Sequence, residues 1–385
     1  MNRLNKIFYG SAGTGKTRQA NINAVKIVHD SQKIESEFND ENILADFKKF
    51  AKTSRLETDD KKIIEKIQDL SKNINEVVDS MSGNELKKLV GNSDDRKKAK
   101  EIIEEYRVYP LIDTVTFHPS YTYQDFVEGI SVETTDRNQI IYKAKDGIFK
   151  KICDRAISNK DYEYVLIIDE INRGDISSIF GELFTLLEDT KRKDAKEELS
   201  INLPYSKDPN TGNPKKLTVP QNLHILATMN TVDKSIALID VALRRRFEFV
   251  EMKPNPELLK NLEDSDINLN KMLSAINERI SILKNEHYQI GHSYFLNIES
   301  FSDLKDVMTK SIIPLLQEYF YDDWQSICAV LNQSYANPID GQGLFNIKKT
   351  DDKMFSHEFK NLIEFNNKKI VTIRNFNQND IISIY

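Results

Sequence analysis

The fold is decided by a glycine-rich stretch at residues 10–17, Gly10-Ser11-Ala12-Gly13-Thr14-Gly15-Lys16-Thr17. It fits the pattern GxxxxGK[ST] and lies between an apolar stretch at 6–9, which predicts a strand, and a helical pattern at 16–29. In this setting the glycines let backbone N–H groups curl around phosphate oxygens, and the helix N-terminus adds partial positive charge. The stretch therefore predicts a phosphate-binding P-loop.

The two side chains that close this loop have distinct predicted roles. Lys16 reaches the β- and γ-phosphates of a nucleotide, and Thr17 offers its hydroxyl to Mg²⁺. A chance glycine loop is the alternative, which the strand–loop–helix order disfavours. We predict that all of residues 10–17 contact the nucleotide.

A second chemical signal follows the apolar run at 164–168. The run is typical of a strand buried on both faces of a parallel sheet, and it ends in the adjacent carboxylates Asp169 and Glu170. This pattern matches a Walker B element, in which Asp169 holds Mg²⁺ and Glu170 orients and polarises the attacking water. The alternative is a strand end that happens to be capped by two acids.

Two further polar clusters follow buried stretches nearer the C-terminus. Asn230 follows the apolar stretch at 222–228, where a polar sensor beside the γ-phosphate is expected, although Asn is also common in plain turns. Three consecutive arginines, Arg244, Arg245 and Arg246, form either a solvated basic turn or a group aimed at a neighbouring subunit's nucleotide.

Around these motifs the pattern predicts an α/β fold with a parallel sheet and a second, helical domain. Residues 30–107 are dense in charge of nearly balanced sign, with apolar residues at helical spacing, and predict amphipathic helices. Strands are predicted at 113–117, 164–168, 222–228 and 247–252, helices at 148–158, 175–188, 236–243, 269–285 and 304–321, a hairpin at 129–147 and a β-ribbon within 190–220. The tail at 337–385 has strand-like pieces, such as 369–373, that the pattern does not place.

Length and composition exclude several classes of protein. The 385 residues are enough for two or three domains, and a net charge of −6 excludes a global basic coat for nucleic acid. Two distant cysteines argue against a disulfide scaffold and fit a reducing compartment. No run approaches the ~20 apolar residues of a membrane span, and the N-terminus does not read as a signal peptide. We expect a cytoplasmic protein that does not act at a membrane.

The motifs together resemble the McrB family, the AAA+ GTPase subunits of modification-dependent (type IV) restriction systems. The resemblance rests on the P-loop, on Asp-Glu-Ile-Asn-Arg-Gly at 169–174, on Met-Asn-Thr-Val-Asp-Lys-Ser at 229–235 and on Ala-Leu-Arg-Arg-Arg-Phe at 242–247. Three further segments support it: 117–126, 289–295 and 313–320. It covers residues 1–29 and roughly 109–325, and the last two motifs are more specific than the P-loop.

The resemblance implies a hexameric AAA+ ring that binds GTP with Mg²⁺. It also implies an McrC-like endonuclease partner that stimulates hydrolysis, and a motor that translocates DNA before cleavage. By position, Asn230 and Asp233 are the signature Asn and Asp, and Arg245 and Arg246 are the trans-acting arginines, ahead of Arg244. The segment 291–293, Gly-His-Ser, belongs to the helical lid near the nucleotide.

The predicted organisation departs from better-known members of that family. The start of the AAA+ core occupies 1–29, a charged helical insertion 30–108, the rest of the α/β core 109–253, the helical lid 254–336 and a C-terminal extension 337–385. The P-loop begins almost at Met1, so we expect the family's N-terminal reader of modified cytosine to be missing. Lys234 stands where Arg is usual, which puts a guanidinium contact there in doubt.

Two other functions fit parts of the sequence. A MoxR-like AAA+ ATPase that remodels proteins shares the hairpin insert and the sensor Asn, but is not expected to combine Met-Asn-Thr-x-Asp with three arginines. A nucleotide-gated assembly scaffold is disfavoured because every expected catalytic position is filled. The choice of GTP over ATP rests on the resemblance alone, because contacts to the purine edge cannot be placed from the sequence.

Overall fold

The computed structural model describes residues 4–32, 40–52, 61–68, 73–91, 95–134, 139–208, 211–232, 241–262, 265–349 and 369–385. The strands are β1 Asn5–Gly10, β2 Ile112–Thr116, β3 Glu128–Thr134, β4 Ile140–Asp146, β5 Tyr164–Asp169, β6 Ile201–Lys207, β7 Pro214–Leu217, β8 Leu223–Asn230, β9 Glu248–Glu251, β10 Phe345–Lys349 and β11 Lys369–Ile373. The helices from the P-loop through the insertion are α1 Lys16–Gln32, α2 Asp40–Phe50, α3 Lys61–Gln68, α4 Ile74–Asp79, α5 Gly83–Val90 and α6 Arg96–Val108. The later helices are α7 Tyr123–Phe126, α8 Ile148–Ser158, α9 Ile176–Phe180, α10 Leu183–Leu186, α11 Val241–Arg246, α12 Leu269–Leu283, α13 Phe301–Val307, α14 Ile313–Phe320, α15 Trp324–Val330 and α16 Gln378–Ile382.

A five-stranded sheet in the order β2-β5-β8-β1-β9 forms the α/β core. The pairs β2–β5, β5–β8 and β1–β9 are parallel, as the apolar runs predict. Residues 164–168 of β5 are wholly buried, as expected for a strand covered on both faces. The carboxyl ends of β5 and β8 therefore lie side by side, and both are followed by the polar residues that the sequence singled out.

The charged segment after α1 folds into the predicted amphipathic helices, α2 to α6. Ten buried residues of α3 to α6 and the turn after α4 pack into a core of their own: Ile63, Ile67, Val77, Val78, Met81, Leu86, Leu89, Val90, Ala99 and Ile103. Since each helix contributes one apolar face, the charged residues are left on the outer faces. The parts of this prediction at 33–39, 53–60, 69–72 and 92–94 lie outside the described residues.

Two predicted helices are broken, which corrects the sequence interpretation. The helix predicted at 175–188 is two short helices, α9 and α10, because Gly181 adopts a φ of 49° between them. The helix predicted at 304–321 begins earlier, at Phe301, and passes through a π-helical turn at Met308–Ile312. Pro314 lies just beyond that turn and cannot donate a helical hydrogen bond, which accounts for the local widening.

Outside the five-stranded sheet, the described strands form three antiparallel pairs. β3 pairs with β4 as the predicted hairpin, and β6 pairs with β7 as the predicted ribbon. β11, which the sequence could not place, pairs with β10 in register from Phe345–Ile373 to Lys349–Lys369. The helix predicted at 236–243 overlaps α11, and its first part lies outside the described residues.

The chain divides into two compact units. The core unit comprises residues 1–9 and 16–251, and the lid unit comprises residues 10–15 and 252–385. The P-loop turn, between β1 and the first residue of α1, is thus grouped with the C-terminal part of the chain. Among the described helices, none has the length and apolar character needed to cross a membrane.

Candidate functional site

The P-loop turn has the backbone conformation that its glycines allow. Gly13 and Gly15 have φ angles of 76° and 81°, in the left-handed region that strongly favours glycine. Within the turn the hydroxyl of Thr14 donates to the carbonyl of Ser11 at 3.0 Å, and both side chains are buried. The sequence prediction of a tight glycine loop between β1 and α1 is therefore confirmed as local structure.

Within the lid unit, backbone N–H groups hold the outer side of this turn. The N–H of Gly291 donates to the carbonyl of Ala12 at 3.1 Å, and the N–H of Ser293 donates to the carbonyl of Gly13 at 3.0 Å. In a trans peptide the C=O and the following N–H point in opposite directions. Fixing these two carbonyls therefore directs the N–H groups of Gly13 and Thr14 away from the lid segment, as an anion-binding loop requires.

The lid segment 290–293 is itself anchored to α12. The side chain of Asn277, 5% exposed, donates to the carbonyl of Ile290 at 2.9 Å and accepts its N–H at 2.6 Å. His292, also buried, accepts the N–H of Asn255 on Nδ1 at 3.1 Å. These contacts place residues 291–293 against the P-loop turn within the lid unit, and a role of this segment toward a nucleotide stays a prediction.

We expect Asn277→Ala to lower the free energy of unfolding by about 2–4 kcal/mol, because the two buried backbone groups of Ile290 lose their partners. Urea denaturation measures the change. Asn270→Ala on the same helix is the matched control, since Asn270 accepts a long 3.4 Å bond from Ser274, and we expect it to cost less than about 1 kcal/mol. Equal losses for the two variants would contradict this role of Asn277.

In the core unit, two threonines converge on Asp169 at the end of β5. The hydroxyl of Thr17, at the start of α1, donates to Oδ1 of Asp169 at 3.1 Å. The hydroxyl of Thr228 on β8, 1% exposed, donates to the same oxygen. The structure thus brings together Thr17 and Asp169, which are 152 residues apart and are the two predicted Mg²⁺ ligands.

Glu170 has a strained backbone at the same place. Its φ and ψ are 52° and 48°, a left-handed conformation that costs a non-glycine residue about 1–3 kcal/mol and is frequent at functional sites. Its N–H donates to the hydroxyl of Thr228 at 3.1 Å, and its carboxylate accepts from Nε of Arg173 at 3.3 Å. The chain therefore turns sharply after Asp169, and the carboxylate of Glu170 is held by Arg173.

The predicted sensor lies at the end of the adjacent strand. Asn230 ends β8, and its side-chain oxygen accepts the N–H of Val232 at 3.3 Å. Its carbonyl accepts from the buried side chain of Asn172 at 2.9 Å, which links the ends of β5 and β8. Asp233 and Lys234 lie outside the described residues, so the prediction for Asp233 stays a prediction.

The arginines of α11 have different surroundings. Arg244 and Arg245 are exposed, and Arg244 lies over the ring of Phe249 at 5.2 Å. Arg246 is 14% exposed and forms an ion pair with Glu188 at 2.7 Å. A role in trans for any of them stays a prediction, because a single chain contains no neighbouring subunit.

Sequence reasoning missed three residues of this site. Asn172 and Arg173 stand inside the motif at 169–174, and Thr228 ends the apolar stretch at 222–228, but none of them had an assigned role. The register could have indicated Thr228, because Ile168 of β5 pairs with Ala227 of β8, which places Thr228 beside Asp169. For the hydrogen bond of Arg173 to Glu170 no comparable sequence signal exists.

The sheet order, the P-loop after β1 and the carboxylates at the end of β5 fit an α/β AAA+ fold, which here includes a helical lid domain. A family model described as "AAA domain (dynein-related subfamily)" matches residues 109–247. A second, described as "McrB, alpha-helical lid domain", matches residues 268–328. The lid model thus includes both Asn277 and the segment that holds the P-loop.

Two curated relatives match the chain. The "Type IV methyl-directed restriction enzyme EcoKMcrB subunit" of Escherichia coli K12 is 36% identical over 230 residues, 55% of this chain and 48% of that protein. The "Type II restriction enzyme BsuMI component YdiS" of Bacillus subtilis 168 is 29% identical over 170 residues, 36% of this chain and 48% of that protein. The chain therefore spans about half the length of each.

A proposed ATPase of Cytophaga hutchinsonii with a solved structure aligns at a TM-score of 0.24 and 12% identity, over 52% of this chain and 45% of that chain. That likeness is too distant to support any argument about the fold or the site. The two family models and the Escherichia coli relative confirm the resemblance that the motifs predicted. The chain thus has an AAA+ fold, and over these residues it is similar to the McrB family.

Proposed function

We propose that this chain is the Mg²⁺-dependent, NTP-hydrolysing motor subunit of a McrBC-like restriction system. In this proposal GTP is the substrate, the chain assembles with itself into a ring, and it acts on DNA with an McrC-like nuclease subunit. The proposal depends above all on one observation: the hydroxyls of Thr17 and Thr228 both donate to Asp169. The backbone N–H of Glu170, the next residue, is bonded to Thr228. The relatives' names support the restriction context, while GTP and the nuclease partner rest on the family resemblance.

The residues present fit a bound Mg²⁺–nucleotide. A hydroxyl and a carboxylate oxygen already in contact, from Thr17 and Asp169, are hard donors of the type Mg²⁺ prefers when phosphates and water complete its shell. When bound, Mg²⁺ would neutralise charge on the β- and γ-phosphates. The N–H groups of the P-loop turn and the ammonium of Lys16 would hold those phosphates.

The remaining residues have separate roles in the hydrolysis step. The carboxylate of Glu170 orients the attacking water and accepts a proton from it, and the left-handed turn at residue 170 sets the direction in which this side chain leaves the backbone. The side-chain amide of Asn230 lies at the end of the neighbouring strand, where it fixes the water or the γ-phosphate. An arginine of α11 from an adjacent subunit stabilises the charge that develops in the transition state.

Steady-state hydrolysis of GTP and of ATP, each with and without an McrC-like subunit, tests the substrate and the partner. We expect GTP turnover that rises when the partner is added. ATP turnover that is indifferent to the partner would contradict the assignment and favour a protein-remodelling ATPase on the same fold. Binding of either nucleotide without turnover would favour an assembly scaffold instead.

A further inference from the structure

Thr228 lies on the strand that ends in the predicted sensor, next to the end of β5. Thr228 and Asn230 are two residues apart on β8, so their side chains lie on the same face of the sheet. The ladder between β5 and β8 pairs Ile168 with Ala227, and the next residues of the two strands are Asp169 and Thr228. Thr228 is 1% exposed, so water cannot replace the hydrogen bonds of its hydroxyl.

The hydroxyl of Thr228 makes two hydrogen bonds whose directions are fixed. Its O–H donates to Oδ1 of Asp169, and its oxygen accepts the backbone N–H of Glu170 at 3.1 Å. The two roles cannot be exchanged, because a carboxylate accepts and a backbone N–H can only donate. Thr228 therefore joins the side chain of Asp169 to the main chain of Glu170, at the residue where the chain enters its left-handed turn.

Both hydroxyls that contact Asp169 use the same carboxylate oxygen. Thr17 is exposed and donates to Oδ1 at 3.1 Å, and the buried Thr228 also donates to Oδ1. Neither hydroxyl donates to Oδ2, so Oδ2 remains available to a cation or to a water in the shell of that cation. Rotation of the carboxylate would break both bonds, so the two hydroxyls together fix the direction of Oδ2.

We propose that Thr228 is a positioning residue, which holds Asp169 by Oδ1 so that Oδ2 serves Mg²⁺, and which fixes the turn that directs Glu170. This inference rests on the proposed function and adds to it a residue that acts only through its two neighbours. Hydrogen-bond partners of metal ligands orient those ligands, and losing one costs about 10–100-fold in metal affinity or activity. Because one hydroxyl serves both residues, its removal should weaken Mg²⁺ binding and slow hydrolysis together.

Thr228→Val in the full chain tests this role, because valine keeps the size and branching of threonine but has no hydroxyl. The first readout is the affinity for a fluorescent GTP or ATP analogue, titrated with Mg²⁺ and repeated in EDTA. We expect the Mg²⁺ concentration at half-saturation to rise at least about tenfold, with the affinity in EDTA unchanged within about twofold. The second readout is single-turnover hydrolysis, which we expect to fall at least about tenfold.

Two further variants are matched to Thr228→Val. Thr228→Ser keeps the donor and the acceptor, so its Mg²⁺ requirement and its hydrolysis rate should stay within about threefold of wild type. Thr114 is exposed on β2 of the same sheet, so Thr114→Val makes the same chemical change outside the proposed site and should behave as wild type. A purely structural role of Thr228 would reduce the fraction of folded chain without changing the Mg²⁺ requirement of that fraction.

A wild-type Mg²⁺ requirement in folded Thr228→Val would overturn the inference, and so would a loss in Thr228→Ser as large as that in Thr228→Val. Thermal unfolding shows whether each variant is folded. If the valine variant is unfolded, Thr228→Cys replaces it, since a thiol is a weak donor and should also raise the Mg²⁺ requirement. A wild-type chain that binds nucleotide with Mg²⁺ but hydrolyses neither GTP nor ATP would instead refute the proposed function. The Mg²⁺ titrations would remain valid in that case, so the two failures are distinguishable.

Discussion

Replacing Glu170 with glutamine is expected to lower the hydrolysis rate by about 10²–10⁴-fold while nucleotide affinity changes less than about twofold. Glutamine keeps the size of the side chain and an oxygen that can accept from Arg173, but it cannot take a proton from water. The left-handed backbone at 170 and the N–H bond to Thr228 do not involve the carboxylate, so the local turn should persist. Single-turnover hydrolysis and binding of a fluorescent nucleotide measure the two quantities.

Glu197→Gln is the matched control for this variant. Glu197 is 55% exposed and paired with Lys191, so its change removes the same charge from the core unit at a place without a predicted role. We expect it to keep wild-type hydrolysis. Wild-type hydrolysis by Glu170→Gln would contradict the role of Glu170 as the general base. Loss of nucleotide affinity in that variant would instead indicate that Glu170 binds the nucleotide.

The second large effect is expected at Gly291, where a methyl group would collide with the P-loop. A Cβ at this position would lie 2.0 Å from the carbonyl carbon of Gly13 and 2.5 Å from the carbonyl oxygen of Ala12. Because the φ of Gly291 is −70°, alanine meets no backbone strain and the effect is purely steric. We expect Gly291→Ala to displace the turn and weaken nucleotide binding at least about tenfold, since misplaced N–H donors lose charge-assisted bonds.

Gly341→Ala tests whether that loss is specific. Gly341 lies in the same unit with no atom within 4 Å of a Cβ, and its φ of 78° gives alanine a backbone cost of about 1 kcal/mol. We expect it to lower stability slightly and to leave nucleotide affinity unchanged. Unaltered nucleotide affinity in Gly291→Ala, measured by titration calorimetry, would show that the lid segment does not set the P-loop geometry.

The parts of the site that could be predicted from the sequence are those that depend only on a short, continuous run of residues. The P-loop turn and the strand before Asp169 could be predicted from local patterns. Backbone with a positive φ strongly favours glycine, and a strand buried on both faces is written as a continuous apolar run. The parallel α/β core could be predicted for the same reason. The break at Gly181 was missed because the apolar spacing continues across it.

The parts that could not be predicted depend on contacts between distant residues. The bonds from Gly291 and Ser293 to the P-loop use main-chain groups, which every residue carries, so they leave no trace in the sequence. The contacts of Thr228, Asn172 and Glu188 depend on strand register and on packing between residues that are far apart in the sequence. The consecutive residues Arg244, Arg245 and Arg246 look equivalent in the sequence, but in the fold the first two are exposed and Arg246 forms an ion pair with Glu188.

The central claim is that this chain hydrolyses nucleoside triphosphates in a Mg²⁺-dependent reaction that needs Lys16. Release of inorganic phosphate from GTP and ATP by the purified chain, in Mg²⁺ and in EDTA, with Lys16→Ala in parallel, tests it most directly. The account predicts release from at least one nucleotide that requires Mg²⁺ and is lost in Lys16→Ala. No release by the wild-type chain from either nucleotide, or equal release by Lys16→Ala, would contradict it.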